Sequence, residues 1–386
     1  MIDKKKLGIY VHIPFCIRKC LYCDFLSDTA DTYVRKQYIE ALVNEICSCP
    51  LKDIDYKSQY TVDTIFFGGG TPSVLEGDQI DEIMKALAFR FDISKVSEVT
   101  IECNPGTATL DKLESYKKSG INRLSIGLQS ANDDELKTLG RIHDYKQFLE
   151  TFKMAREAGF DNINIDLMSA IPGQSLDSYK DTLNKVISLS PEHISSYSLI
   201  IEEGTPFYDM YGDEGPDEPD EDTEREMYYM TERLLNEAGY HRYEISNYSL
   251  EGYECRHNSS YWIGTDYIGL GIGAASLIDG VRYSNTSDLY SYTKACSKAA
   301  EVPTEEYRIL SQNERMEEFM FLGLRMIRGI SAKEFKERFG QDIYTVYAKP
   351  LEKLVKDGLI IINGDNIKLT SKGIDVSNTA LANFLL

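Results

Sequence analysis

No stretch of the chain approaches the ~18 consecutive apolar residues that read as a membrane-spanning helix. Lys4, Lys5 and Lys6 precede only a short apolar run, Leu7 to Phe15, which His12 and Pro14 interrupt and no small-residue cleavage site follows, so a secretory signal is set aside. Positive charge is also scarce: 42 Lys and Arg against 62 Asp and Glu leave a net charge of -20. An anionic field of that size repels phosphate backbones, and nucleic acid is set aside as a partner. Internal repeats and low-complexity tracts are missing, and tryptophan occurs once. What remains is a chain of 386 residues, 42% apolar and 27% charged, ordinary proportions for one large domain with an appendage. The expectation is a cytoplasmic protein whose eight cysteines are reduced thiols.

Five of those cysteines are scattered, at Cys47, Cys49, Cys103, Cys255 and Cys296, and for Cys47 and Cys49 buried or idle thiols are expected in preference to a second cluster. The other three fall together, as Cys16-x3-Cys20-x2-Cys23. Three thiolates on one loop converge on a soft metal centre, either zinc or an iron-sulfur cluster. A closed zinc site needs a fourth Cys or His at short spacing, and none follows Cys23 nearby; His12 lies upstream on an expected strand. A cubane held by three cysteines instead leaves one iron open to a ligand from outside the protein.

Short β-branched runs alternate with helical patterns from Leu7 to about 200. Strands are expected at Leu7 to Ile13, Val62 to Phe67, Glu98 to Glu102, Arg123 to Gly127, Asn162 to Met168 and His193 to Leu199. Helices are expected at Tyr33 to Cys47, Ile80 to Phe89, Leu110 to Ser119, Tyr145 to Ala158 and Leu176 to Ser188. That alternation predicts a parallel α/β sheet with ligands at the C-terminal strand ends. An acidic run, 209–226, reads as a solvated loop. From about 301 the alternation stops, and helices at Asn313 to Arg328, Ser331 to Arg338 and Ile343 to Asp357 precede a hairpin across Gly364-Asp365. We therefore divide the chain into a core, 1–300, and a small winged-helix-like domain, 301–386, whose mixed charge suits a structural or docking role better than DNA binding.

Strand ends in the core carry chemistry. Gly68-Gly69-Gly70-Thr71-Pro72 lets backbone amides approach a ligand, although tight βα turns look alike. Glu102, Gln129 and Asp166 are isolated polar residues that are costly to bury without partners. In His257-Asn258-Ser-Ser-Tyr261-Trp262 a histidine stands beside aromatic rings, which suits haem ligation but also suits a satisfied core histidine. Cys255 is an alternative thiolate ligand there.

The run from Tyr10 through Cys23, with Tyr22 beside the third cysteine, resembles the radical S-adenosylmethionine (SAM) superfamily, and Tyr10-Val-His-Ile-Pro-Phe narrows this to oxygen-independent coproporphyrinogen dehydrogenases and their haem-chaperone relatives. The resemblance implies a partial six-strand β/α barrel holding a [4Fe-4S] cluster on Cys16, Cys20 and Cys23. It implies SAM contacts at Tyr10, Tyr22, Gly69, Gly70, Thr71, Glu102, Gln129, Arg141 and Asp166, with Arg141 facing the methionine carboxylate and Asp166 the ribose hydroxyls. Two departures discriminate within the group. The dehydrogenases carry a fourth cysteine where this chain has Phe25, and the His257 to Trp262 segment resembles the haem chaperones' motif. The resemblance thus implies haem as cargo bound near His257 and delivered to haem-requiring respiratory proteins, with homodimerisation and contact with the membrane face as family behaviours. Oxidative decarboxylation of coproporphyrinogen III, or radical chemistry on another substrate, are the alternatives.

Overall fold

The structure is a computed structural model that describes residues 4–48, 54–212, 220–298 and 300–386. Six parallel strands form its centre: β1 (Lys5–Ile13), β2 (Tyr60–Gly69), β3 (Glu98–Cys103), β4 (Arg123–Gln129), β5 (Ile163–Ser169) and β6 (His193–Ser198). They pair in sequence order. Side chains such as Ile9, Val11, Ile65, Phe67, Ile101, Leu124, Ile126, Ile165 and Ile194 are buried, as strands covered on both faces require. Between them run α1 (Thr32–Ser48), α2 (Gly77–Arg90), α3 (Leu110–Lys118), α4 (Tyr145–Glu157) and α5 (Leu176–Ser188). In α4, Asp144 caps the first turn reciprocally with Gln147, while Phe148, Thr151, Phe152 and Ala155 recur at helical spacing on the buried face. Each phenylalanine buried this way contributes about 1.5–3 kcal/mol. The architecture is a partial (β/α)6 barrel, as expected.

The sheet then extends beyond the six strands. At the β6 edge it continues antiparallel through β7 (His241–Arg242) and β8 (Asn247–Ser249). At the other edge β9 (Tyr267–Leu270) pairs parallel with β1, and β10 (Ala275–Ile278), β11 (Val281–Asn285) and β12 (Thr304–Ile309) follow antiparallel. Because β12 belongs to this sheet, the larger unit reaches Ile309, and the change of architecture falls nearer 310 than the expected 301. Of the acidic run, 213–219 lies outside the described residues. The part after it is not loop but the start of α6 (Glu221–Glu237), where Asp220 caps the helix and Glu221, Asp222 and Glu224 meet its positive end.

The C-terminal unit has its own core around Phe335, Tyr347, Leu351, Ile367 and Phe384. Two expectations shift here. The first helix ends at Gly323, and the expected 343–357 helix is broken into Ile343–Val346 and Ala348–Lys356. The hairpin forms across Gly364-Asp365 and gains a third strand, Ile330–Ser331, completing a winged-helix-like unit. None of the described helices is long and apolar enough to cross a membrane.

Candidate cofactor site

A cavity of about 460 Å³ opens at the C-terminal ends of the parallel strands, lined by all three clustered cysteines, by the glycine loop, and by side chains from β3, β4 and β5. Among the described residues, no three Cys, His, Asp or Glu converge tightly enough to hold a single metal ion. The three thiols share the wall of this cavity.

Two of them are joined by a hydrogen-bonded chain. Thr71 Oγ1 donates to Cys16 Sγ (3.5 Å) and accepts from Asn104 Nδ2 (2.8 Å); Asn104 Oδ1 accepts from Arg141 Nη2 (2.7 Å), and Arg141 Nη1 donates to Cys20 Sγ (3.6 Å). Donors aimed at sulfur suit thiolates that carry a cluster's negative charge. Asn104 had no motif spacing to announce it, yet it orients both donors.

The glycine loop is shaped by contact. Gly69 has φ +116, and a Cβ there would lie 2.6 Å from the His12 ring; one on Gly70 would lie 2.8 Å from Phe15 O and 3.0 Å from Cys16 Sγ. No other residue fits this cradle without displacement. His12 is held behind it by Tyr10 Oη on Nδ1 (3.0 Å) and Leu26 O on Nε2 (2.8 Å). Tyr10 therefore supports the loop from behind and does not line the cavity, whereas Tyr22 does.

Glu102, Gln129, Arg141 and Asp166 all reach the cavity. Glu102 accepts the Gly69 N–H (3.1 Å), but burial, and next the charge of Asp166, push its pKa up to about 8. Burial also raises Asp166, opposed by hydrogen bonds from Asn164 (2.7 Å) and Ser125 (3.1 Å). Gln129 sits at a register shift in β4 with φ +72, a left-handed conformation that turns its side chain at the strand end. Phe25 stands at the cavity rim, 65% exposed, where the dehydrogenases have cysteine.

His257 lies on α7 (Arg256–Trp262), is 1% exposed, and does not line the cavity. Its Nδ1 meets Thr64 Oγ1 (2.9 Å) and its Nε2 meets Tyr261 Oη (2.9 Å), while its ring stacks on Phe66. Glu98 accepts the Arg256 and His257 N–H groups (2.9 and 3.0 Å), capping the helix. A neutral imidazole has one lone pair and one N–H, and here Thr64 and Tyr261 engage both. The alternative, Cys255, is fully buried, and burial pushes its thiol up to about 12. Cys47 is exposed, and Cys49 lies outside the described residues.

Comparison with known proteins agrees with this geometry. Residues 10–186 match the model of the Radical SAM superfamily, and residues 310–376 that of the HemN C-terminal domain. Heme chaperone HemW of Lactococcus lactis is 34% identical over 383 residues, covering 99% of this chain and 98% of that protein. Heme chaperone HemW of Bacillus subtilis is 36% identical over 377 residues, covering 97% and 98%. Coproporphyrinogen III oxidase (HemN) from Escherichia coli, a radical SAM enzyme, superposes with a TM-score of 0.83 at 23% identity, covering 99% of this chain and 90% of that one, which establishes the fold. With likeness running through both the barrel and the C-terminal unit, the chain belongs to the Heme chaperone HemW family of the radical SAM superfamily.

Proposed function

We propose that this chain is a haem chaperone that carries a [4Fe-4S] cluster and SAM in its barrel, binds haem, and delivers it to haem-requiring respiratory proteins from the cytoplasm. The observation that carries the reading is the near full-length likeness to Heme chaperone HemW proteins, with Phe25 standing where the dehydrogenases have a fourth cysteine. Homodimerisation and transient contact with a membrane surface belong to the same proposal.

Cys16, Cys20 and Cys23 would hold the cluster, which would supply an open iron for the methionine part of SAM. Around it this chain's residues bind and orient. The Gly69 and Gly70 backbone and Glu102 receive the amino group, Arg141 pairs with the carboxylate, and Asp166 accepts from the ribose hydroxyls. Gln129 and Thr71 hold the walls, Tyr22 closes one side, and Tyr10 fixes the loop through His12.

Haem titration of the anaerobically reconstituted protein tests the reading. Saturation near one haem per chain, with no protoporphyrinogen formed from coproporphyrinogen III, is expected. Turnover of coproporphyrinogen without saturable haem binding would reverse it.

A further inference from the structure

A second cleft, of about 350 Å³, lies between the core and the C-terminal unit. One wall is the segment from Tyr261 to Tyr267, which carries the only tryptophan of the chain; the other is α8 (Gln312–Gly323) with the residues that follow it. On α8, Arg315, Phe319 and Leu322 recur at i, i+4 and i+7, so one stripe presents a cation and two apolar groups to the cleft.

The charges there do not cancel. Arg282 is paired with Glu318 (2.7 Å) and Arg338 with Glu334 (2.5 Å). Asp266 accepts from Tyr60 (3.1 Å). Arg315 and Arg328 have no carboxylate within ion-pair distance among the described residues, and Asp279, whose carboxyl feels Arg315, is already engaged by Lys5 and Tyr60. The Trp262 indole N–H is buried without an acceptor. An apolar slot with two uncommitted guanidinium groups, in a protein of net charge -20, is complementary to a flat apolar molecule bearing carboxylates.

We propose that haem occupies this cleft, and that the C-terminal unit supplies the clamp for its carboxylates through Arg315 and Arg328. The proposal rests on the haem-carrier reading and gives the C-terminal unit a binding role. The macrocycle lies against Trp262, Phe319 and Leu322, and each guanidinium takes one propionate, a planar charge-assisted pair.

The test titrates the full reconstituted chain with haem and with haem dimethyl ester, which lacks the anionic groups. Wild type and the double variant Arg315→Gln/Arg328→Gln are compared, with circular dichroism to verify folding and Arg315→Lys/Arg328→Lys as a milder replacement. The double glutamine variant is expected to lose on the order of tenfold or more in haem affinity, while ester binding is unchanged and the lysine variant falls between. Equal haem binding by wild type and variant would overturn the clamp and leave the carrier reading intact. Equal loss of haem and ester would also overturn it, since the arginines would then act on shape and not on carboxylate. No saturable haem binding by wild type would remove the carrier reading, and the clamp with it.

Discussion

The barrel cavity and the α7 segment are built from similar residue types and use them in opposite ways. In the cavity, Glu102 and Asp166 are half-buried with raised pKa values, Gln129 holds a left-handed backbone, and three thiols share one wall. These features cost stability and are suited to a ligand that neutralises them. Around α7, Thr64, His257 and Tyr261 satisfy one another, and Glu98 satisfies the helix start. The same chemistry that makes a site in one place makes a scaffold in the other. The two regions are also joined: Asp166 is held by Asn164, which meets His193 (2.6 Å); His193 meets Tyr243 (2.9 Å), whose hydroxyl accepts from Cys255 N beside α7 (3.2 Å).

The largest effect that would break the comparison lies at the cysteines. Replacing Cys16, Cys20 or Cys23 by Ala is expected to abolish the visible charge-transfer absorption of anaerobically reconstituted protein. Full absorption in any one variant would show that the cavity wall is not the ligand set. His257→Ala comes next. It should lower unfolding free energy by about 2–4 kcal/mol, because it leaves a cavity and strands Thr64 and Tyr261. The milder His257→Gln sharpens this through pH. Burial lowers the histidine to about 3, whereas the unfolded residue titrates near 6.5, so the unfolded chain binds the extra proton between those values. Stability from this group is complete above pH 6.5 and lost as pH falls towards 3. Denaturation series across that window should show a slope about one proton smaller in the Gln variant; an unchanged slope would place His257 in solvent.

Glu102→Gln has the opposite sign. Its carboxyl titrates near 8 in the fold and near 4.5 unfolded, so the native state holds the extra proton between these values and loses stability as pH rises through them. The Gln variant is expected to be more stable than wild type by about 1–3 kcal/mol at neutral pH, with no advantage below pH 4.5, and to bind SAM more weakly by calorimetry. A destabilised variant would mean that Glu102 belongs with the scaffold.

The parallel strands were legible because each is a short apolar run ending in Gly, Pro or a lone polar residue. The cysteine loop, glycine loop and strand-end carboxylates were legible because spacing locates them on one rim. The antiparallel extension was not: β7 and β8 are very short, and β12 is exposed along its length, so neither carries a hydrophobic period. Nor does the His257 spacing say which way α7 turns its histidine. That depends on Thr64 and Glu98, which stand on strands far away in sequence.

Asn104 is the smallest test and the finest one, because it asks whether the cavity too contains scaffold. Its side chain touches neither cysteine, yet it accepts from Arg141 and donates to Thr71, the two groups that donate to sulfur. Removing it in Asn104→Ala leaves three thiols in place, so cluster content should be unchanged. The donors lose their orientation, and hydrogen bonds to sulfur favour the reduced, more negative cluster. Weakening them by about 1 kcal/mol corresponds to a potential lower by about 40 mV for a one-electron couple. A potentiometric titration followed by electron paramagnetic resonance reads that shift directly. A potential equal to wild type at full cluster loading would mean that Thr71 and Arg141 hold their positions without Asn104, and the cavity would then be site throughout, with its support lying wholly in the strands beneath it.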